Sequence, residues 1–142
     1  MSRKLLATLA TGALVAGALV VGTASAGTAA TTANIPCNHL GYVATATGSA
    51  LVPFASNGST NCYMTVGNTG GGVSALQAAL IYCNDHAAIA ADGVYGQQTK
   101  NAVWTFQSNR SRLDGLGVDG VYGVNTRNAM LWPTGVCESG WF

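Results

Sequence analysis

The sequence predicts a mainly α fold in which three short helices follow an irregular N-terminal arm. A five-residue motif, Asp-Gly-Val-Tyr-Gly, occurs at 92–96 and again at 119–123, 27 positions later. Apolar residues recur at helical spacing before the first copy and after both copies. Because an internal repeat fixes the architecture of a chain, we expect each copy to be a turn that leads into a helix.

The residue types of the repeated motif suit a tight turn. The Asp carboxylate can accept hydrogen bonds from backbone N–H groups two residues on, and Gly supplies the positive φ that such a turn requires. The likeness continues downstream, where 99–102 aligns with 126–129. Asp92 and Asp119 are therefore predicted to brace their turns.

Residues 1–26 have the pattern of a signal peptide. A basic start precedes an apolar stretch over 5–21, and Ala-Ser-Ala at 24–26 is a typical cleavage site. We expect export, cleavage before Gly27, an extracellular or cell-wall location and no membrane contact afterwards. The alternatives are a cut a few residues later and an uncleaved anchor, since the apolar stretch approaches the roughly 17 residues that span a bilayer.

The rest of the chain carries little charge. Beyond residue 26 there are four basic and five acidic side chains, a net charge of −1. No basic surface is available to hold a polyanion, so nucleic acid is not an expected partner. The polar surface must consist largely of Thr, Ser, Asn, Gln and Gly, which is compatible with neutral ligands such as sugars.

Four cysteines lie beyond the signal peptide, and none has the spacing of a zinc site. An even number in an exported chain predicts two disulfides. Of the three possible pairings we expect Cys37–Cys62, which closes the N-terminal segment on itself, and Cys83–Cys137, which ties the first helix to the tail.

Residues 27–69 are predicted to form an extended arm. Short runs rich in Val, Thr and Tyr are interrupted by Pro and Gly. Residues 42–45 are compatible with one strand or an extended segment, and Asn57-Gly58 favours a tight turn. We therefore expect an irregular hairpin clamped by the first disulfide, followed by a flexible hinge over 68–72.

Helical spacing predicts helices over about 73–84, 97–108 and 124–131, with Pro133 ending the third. The residues expected on their buried faces are Val73, Leu76, Leu80 and Cys83 in the first, Thr99, Ala102, Val103 and Phe106 in the second, and Thr126, Ala129 and Met130 in the third.

The order of these residues resembles a known family. Val73, Leu76-Gln77 and Leu80, the first turn, Thr99, Ala102-Val103, Phe106-Gln107, the second turn, Thr126 and Ala129 follow the motif of the bacterial peptidoglycan-binding domain of type 1. The resemblance covers about 70–132 and departs from the family at 84–91. It implies a compact three-helix bundle, here placed at 70–136 with a tail at 137–142, and peptidoglycan glycan or stem peptide as partner.

Candidate ligand-binding residues follow from this resemblance and from side-chain chemistry. Tyr95 and Tyr122 are possible sugar platforms, although related domains carry Phe here, which favours packing beneath the turn. Trp104 lies about 150° from the buried face of its helix and must be covered by the arm, by the tail with Trp141 and Phe142, or by a glycan. The other candidates are Gln77, Asn101, Arg127, Gly96 and Gly123.

Catalysis is not expected. His39 and the Asp85-His86 pair lack an evident nucleophile, no H-E-x-x-H motif is present, and no paired carboxylates suggest a glycosidase. We therefore predict no metal and no cofactor. The leading interpretation is a secreted, non-catalytic peptidoglycan-binding module. The alternatives are an accessory or inhibitor of a cell-wall hydrolase and, third, a small hydrolase.

Overall fold

The structure, a computed structural model, describes residues 35–139 and mixes helices with two small antiparallel sheets there. The predicted signal peptide lies outside the described residues. Among those described, no helix combines the length and apolar content needed to cross a bilayer. The elements in chain order are β1 (His39–Ala44), β2 (Ser49–Phe54), α1 (Gly71–Tyr82), α2 (Gln97–Asp114), α3 (Val124–Ala129), β3 (Leu131–Pro133) and β4 (Cys137–Ser139).

The predicted mainly α three-helix bundle is therefore wrong, and the first reason is the arm. Strands β1 and β2 form a regular antiparallel hairpin in which Gly41 pairs with Val52. Its turn closes where the Thr45 N–H donates to the Gly48 carbonyl (2.8 Å), whereas Asn57-Gly58 belongs to a separate turn after β2. Alternation places Ala50 and Val52 in the core, so the hairpin forms a wall of the domain.

The second reason is the C-terminal segment. Helix α3 ends at Ala129, and β3 pairs with β4 in a small hairpin. The extended backbone of β3 inserts Trp132, which is fully buried, edge-on against Tyr122, with ring centroids 6.3 Å apart. Because this indole fills the core from a strand, Pro133 lies in a strand instead of terminating a helix.

A buried asparagine connects the end of α1 to this second hairpin. Asn84 Nδ2 donates to the carbonyls of Ala79 and Leu131, both at 2.8 Å, and Asn84 Oδ1 accepts from the Leu131 N–H at 2.9 Å. Asn84 lies in the segment where the sequence departs from the family motif. The departure thus coincides with the contact that positions β3.

Helix α2 is six residues longer than predicted. Residues 109–114, polar except for Leu113, contain no helix breaker, and the helix stops at Gly115, whose φ of 63° is left-handed. The Gly115 N–H donates to the Ser111 carbonyl (3.1 Å), as in a usual glycine helix end. Helix α2 packs against α3.

The core joins all of these elements. Strand β2 and α1 pack together, and Met64 pairs through its backbone with Tyr122. The largest fully buried side chains are Trp132, Tyr95, Tyr122, Phe106, Met64, Leu76, Leu80, Met130, Gln77, Gln107, Val52 and Val73. Residues 35–64 thus share one core with the helices.

Both predicted disulfides are confirmed. Cys37 and Cys62 are bonded with a Cα–Cα distance of 5.2 Å, and Cys83 and Cys137 with one of 5.5 Å. The first disulfide closes the N-terminal segment on itself, and the second joins β4 to the end of α1.

Removing the second disulfide should destabilise the domain markedly. The Cys83→Ala/Cys137→Ala variant frees a loop of 54 residues, and the chain-entropy relation gives a loss of about 4 kcal/mol in the free energy of unfolding. Urea denaturation of both proteins measures the difference. Far-UV circular dichroism must show that the variant is folded without denaturant, and an unchanged urea midpoint would contradict the prediction.

Candidate functional site

The first turn of the repeat is held by a buried glutamine of α1. Gln77 Nε2 lies 2.9 Å from Asp92 Oδ1, 3.1 Å from the Val94 carbonyl and 3.0 Å from Thr99 Oγ1. Gln77 Oε1 accepts from the Gly93 N–H at 2.9 Å. One side-chain amide therefore fixes both the turn and the first residues of α2, an arrangement that we call a glutamine bracket.

The second turn has its own glutamine bracket, supplied by α2. Gln107 Nε2 lies 3.0 Å from Asp119 Oδ1, 2.9 Å from the Val121 carbonyl and 3.0 Å from Thr126 Oγ1. Gln107 Oε1 accepts from the N–H groups of Asp119 and Gly120 at 3.1 and 2.8 Å. The two turns are thus held by the same chemistry.

The aspartates act as the sequence predicted. The Val94 N–H donates to Asp92 Oδ1, and the Val121 N–H donates to Asp119 Oδ1, both at 2.9 Å. Gly93 and Gly120 have φ values of 74° and 68°, a conformation that Gly adopts without strain. Hydrogen bonds from Gln77 and from the Val94 backbone lower the pKa of Asp92.

The two repeat tyrosines are buried, so neither ring offers a face to a sugar as a binding platform would. Both side chains are 0% exposed. Tyr95 Oη donates to the Gly120 carbonyl at 2.9 Å and links the two turns, whereas Tyr122 Oη has no hydrogen-bond partner among the described residues. Burial raises the pKa of both phenols. Packing beneath the turn is therefore the correct interpretation.

Two polar candidates are also engaged inside the fold. Gln77 is 1% exposed and committed to its bracket. The Arg127 guanidinium, 6% exposed, donates to Thr60 Oγ1 at 2.6 Å and to Asn61 Oδ1 at 3.1 Å, and so ties α3 to the N-terminal segment. Neither side chain is available to a ligand, because both are buried and hydrogen-bonded inside the fold. Sequence alone does not distinguish a solvated helical Gln or Arg from a buried one.

The remaining candidates lie at or near the surface. Trp104 is 51% exposed on α2, so the described part of the arm leaves half of the indole open, and Asn101 is exposed one turn earlier. Trp141 and Phe142, two of the predicted covers, lie outside the described residues. Gly96 and Gly123 are half-buried immediately before α2 and α3, and a Cβ at either would meet nothing within 4 Å.

Two clefts flank the outer surfaces of α2 and α3. The first, of about 340 Å³, is lined by Asp85, Ala87, Ala88, Ile89, Gln98, Asn101, Ala102 and Thr105. The second, of about 580 Å³, is lined by Arg110, Asp114, Gly115, Leu116, Asn125, Asn128, Ala129, Leu131 and Ser139. Both are open and lined by a mixture of polar and apolar side chains, which suits a ligand that carries both hydrogen-bonding and C–H groups.

The titratable groups do not assemble into a metal site within 35–139. There, no three His, Cys, Asp or Glu side chains approach closely enough to hold an ion. His86 Nδ1 lies 3.3 Å from the Ile81 carbonyl. Glu138 lines a separate cleft between the two hairpins, where the hydroxyls of Thr45 and Thr47 lower its pKa.

Comparison with known proteins supports the resemblance. Residues 69–130 match the family described as a putative peptidoglycan binding domain, a span that contains both glutamine brackets. No curated protein matches the chain at a significant level.

Several solved structures are similar over part of the chain. The N-terminal domain of SleB is 36% identical over 47% of this chain and 85% of its own, with a TM-score of 0.42. A Burkholderia AP3 phage endolysin is 36% identical over 45% of this chain and 22% of its own, with a TM-score of 0.39. A Clostridioides difficile peptidoglycan-binding protein in complex with glutamine hydroxamate is 28% identical over 61% of this chain and 52% of its own, with a TM-score of 0.45.

The brackets should be major determinants of stability. Gln77→Ala leaves the buried Gly93 N–H without its acceptor and removes the donor to Asp92 Oδ1 and Thr99 Oγ1, so we expect a loss of about 3 kcal/mol in the free energy of unfolding. Gln98→Ala, at an exposed position of α2, is the matched control and should change stability by less than about 0.5 kcal/mol. Equal urea midpoints for the two variants would contradict the bracket.

The two tyrosine hydroxyls should respond differently to removal. Tyr95→Phe deletes the hydrogen bond to the Gly120 carbonyl and should cost about 1 kcal/mol, whereas Tyr122→Phe removes an unpaired buried hydroxyl and should be neutral or stabilising. Thermal unfolding of the two variants beside the wild type measures the contrast. The reverse order of midpoints would show that the hydroxyl partners are misassigned.

Proposed function

Because this chain belongs to the putative peptidoglycan binding domain family through residues 69–130, we propose that it is a secreted, non-catalytic module that binds the cell wall. The family match is the observation that carries the proposal, and it spans the two braced turns and the helices that they start. Binding by a rigid surface requires no titrating group or bound ion, which agrees with a site built from amides, hydroxyls and one indole.

The outer surface of α2 is the proposed contact region. The exposed half of Trp104 offers an aromatic face to the C–H face of a pyranose ring. Asn101 lies three residues earlier, on the neighbouring part of the helix surface, and lines the first cleft. An aromatic platform beside an amide can hold a sugar ring and the acetamido group that it carries.

Rigidity and low charge support this choice of ligand. Because Gln77 fixes the turn and Thr99 together, the first residues of α2 are ordered before a ligand arrives, and little conformational entropy is lost on binding. Among residues 35–139, Asp85 is the only ionisable side chain that lines the first cleft. A neutral, hydrogen-bonding polymer therefore suits this surface better than a polyanion.

Sedimentation with purified, protein-free sacculi tests the proposal directly. We expect the protein to be retained in the pellet and the turbidity of the sacculi to stay constant. A fully soluble protein would overturn wall binding and favour the role of accessory or inhibitor of a wall hydrolase. Loss of turbidity would instead reveal hydrolytic activity.

Trp104→Ala should weaken wall binding without unfolding the protein. A half-exposed indole contributes little to the core, whereas loss of an aromatic contact at an interface should raise the Kd about tenfold. Tyr42→Ala removes another exposed aromatic ring, 74% exposed on β1, and serves as the control. A lower melting temperature for Trp104→Ala would assign the indole to packing. Equal binding losses for both variants would overturn Trp104 as a specific wall contact.

A further inference from the structure

The two clefts are related by the internal repeat of the sequence. Adding 27 to six lining positions of the first cleft gives six lining positions of the second. The equivalent pairs are Ala87 and Asp114, Ala88 and Gly115, Ile89 and Leu116, Gln98 and Asn125, Asn101 and Asn128, and Ala102 and Ala129. The six equivalent positions of each cleft thus lie in the segment before one turn and on the helix after it.

The equivalent asparagines present the same group to each cleft. Asn101 Oδ1 accepts from Gln97 Nε2 at 2.8 Å. Asn128 Oδ1 accepts from Nε and Nη2 of Arg127 at 3.1 and 2.9 Å. Within the described residues, the hydrogen bonds of both asparagine side chains use only the oxygen, so each Nδ2 remains as a donor. Both clefts therefore offer an N–H group to a ligand oxygen.

The clefts differ in charge. The second contains Arg110 and Asp114, whereas the repeat position of Arg110 is Cys83, which is bonded to Cys137. The Arg110 guanidinium carbon lies 5.8 Å from the centre of the Phe106 ring, a cation–π contact that steadies it at the cleft. The second cleft thus combines two kinds of N–H donor with a positive and a negative charge.

We propose that the two clefts are subsites for different parts of one peptidoglycan strand, an inference that rests on the proposed function. In the first cleft, Asn101 Nδ2 donates a hydrogen bond to a neutral acyl oxygen, such as that of an N-acetyl group. The second receives a stem-peptide residue with a carboxylate and an amine. Arg110 and Asn128 donate hydrogen bonds to the carboxylate, and Asp114 accepts a hydrogen bond from the protonated amine. The repeat thus gives one donor geometry two specificities.

Two probes separate the subsites by nuclear magnetic resonance titration of the mature chain. Chitotetraose carries N-acetyl groups but no carboxylate, and a purified disaccharide–tripeptide muropeptide carries both. We expect chitotetraose to shift the side-chain NH2 resonances of Asn101 and to leave those of Asn128 unchanged. The muropeptide should shift both asparagines and the Arg110 Nε–H.

Charge-removing variants test the second subsite. Arg110→Gln should raise the Kd for the muropeptide about fivefold at low ionic strength, lose that effect in 1 M salt, and leave chitotetraose binding unchanged. Arg112→Gln removes a charge from an exposed position of the same helix that does not line the cleft, and its muropeptide Kd should equal that of the wild type.

Each outcome bears on a different claim. Equal muropeptide affinities of the Arg110→Gln and Arg112→Gln variants would overturn the second subsite, and chitotetraose shifts at Asn128 would overturn the division of labour. If the wild type pellets with sacculi but Asn101 and Asn128 do not respond to the muropeptide, the inference fails and the proposed function stands. If it neither pellets nor responds to either probe, both fail.

Discussion

Two buried side-chain amides organise this domain. Gln77 and Gln107 each form hydrogen bonds with the backbone donors and acceptors of a turn. Without these glutamines, polar backbone groups would lack partners inside an apolar core. A buried unsatisfied group costs about 1–3 kcal/mol, so displacing either amide would be costly at several atoms simultaneously. Because each bracket also holds the threonine in the first turn of the next helix, turn geometry and helix start are one unit.

The two copies of the repeat nevertheless connect to different neighbours. Tyr95 reaches from the first turn to the second through the Gly120 carbonyl. Tyr122, its equivalent, exchanges two backbone hydrogen bonds of 2.9 Å with Met64 and packs against Trp132. The first copy therefore joins the repeats to each other, and the second joins them to the segment after β2 and to the β3–β4 hairpin. Tyr122 thus ties the N-terminal and C-terminal segments to the repeats.

What sequence could predict follows from how local each signal is. The Asp-Gly turns, the helix starts and the cysteine pairing depend on neighbouring residues or on few alternatives. The hairpins depend on distant partners: Ala50 and Val52 alternate over too few positions to indicate a strand without α1 behind them. The run Met130-Leu131-Trp132 fits either period equally well. Its extended backbone depends on distant partners, namely the Asn84 side chain, strand β4 and the space beside Tyr122.

The candidate site shows the same limit. Gln77, Arg127 and Asn101 are all polar residues on predicted helices, and each was an equally good ligand contact by residue type. The structure distinguishes them by burial. Gln77 and Arg127 are buried and form their hydrogen bonds inside the fold, whereas Asn101 is exposed on the surface. The hydrogen bond from Gln77 to Thr99 fixes the start of α2, which presents the exposed amide of Asn101. All three were predicted as ligand contacts from the sequence, and the distribution of hydrogen bonds leaves Asn101 as the proposed contact residue.

A duplicated surface is physically suited to a polymer that repeats. One exposed amide donor contributes little affinity, because water competes for the same hydrogen bond. When two such donors stand on one rigid body, binding at the first raises the effective concentration of the ligand at the second, and weak contacts multiply. The brackets matter here because avidity is lost when the two sites move independently. Rigid internal amides and open external amides are therefore complementary parts of one proposed wall-binding device.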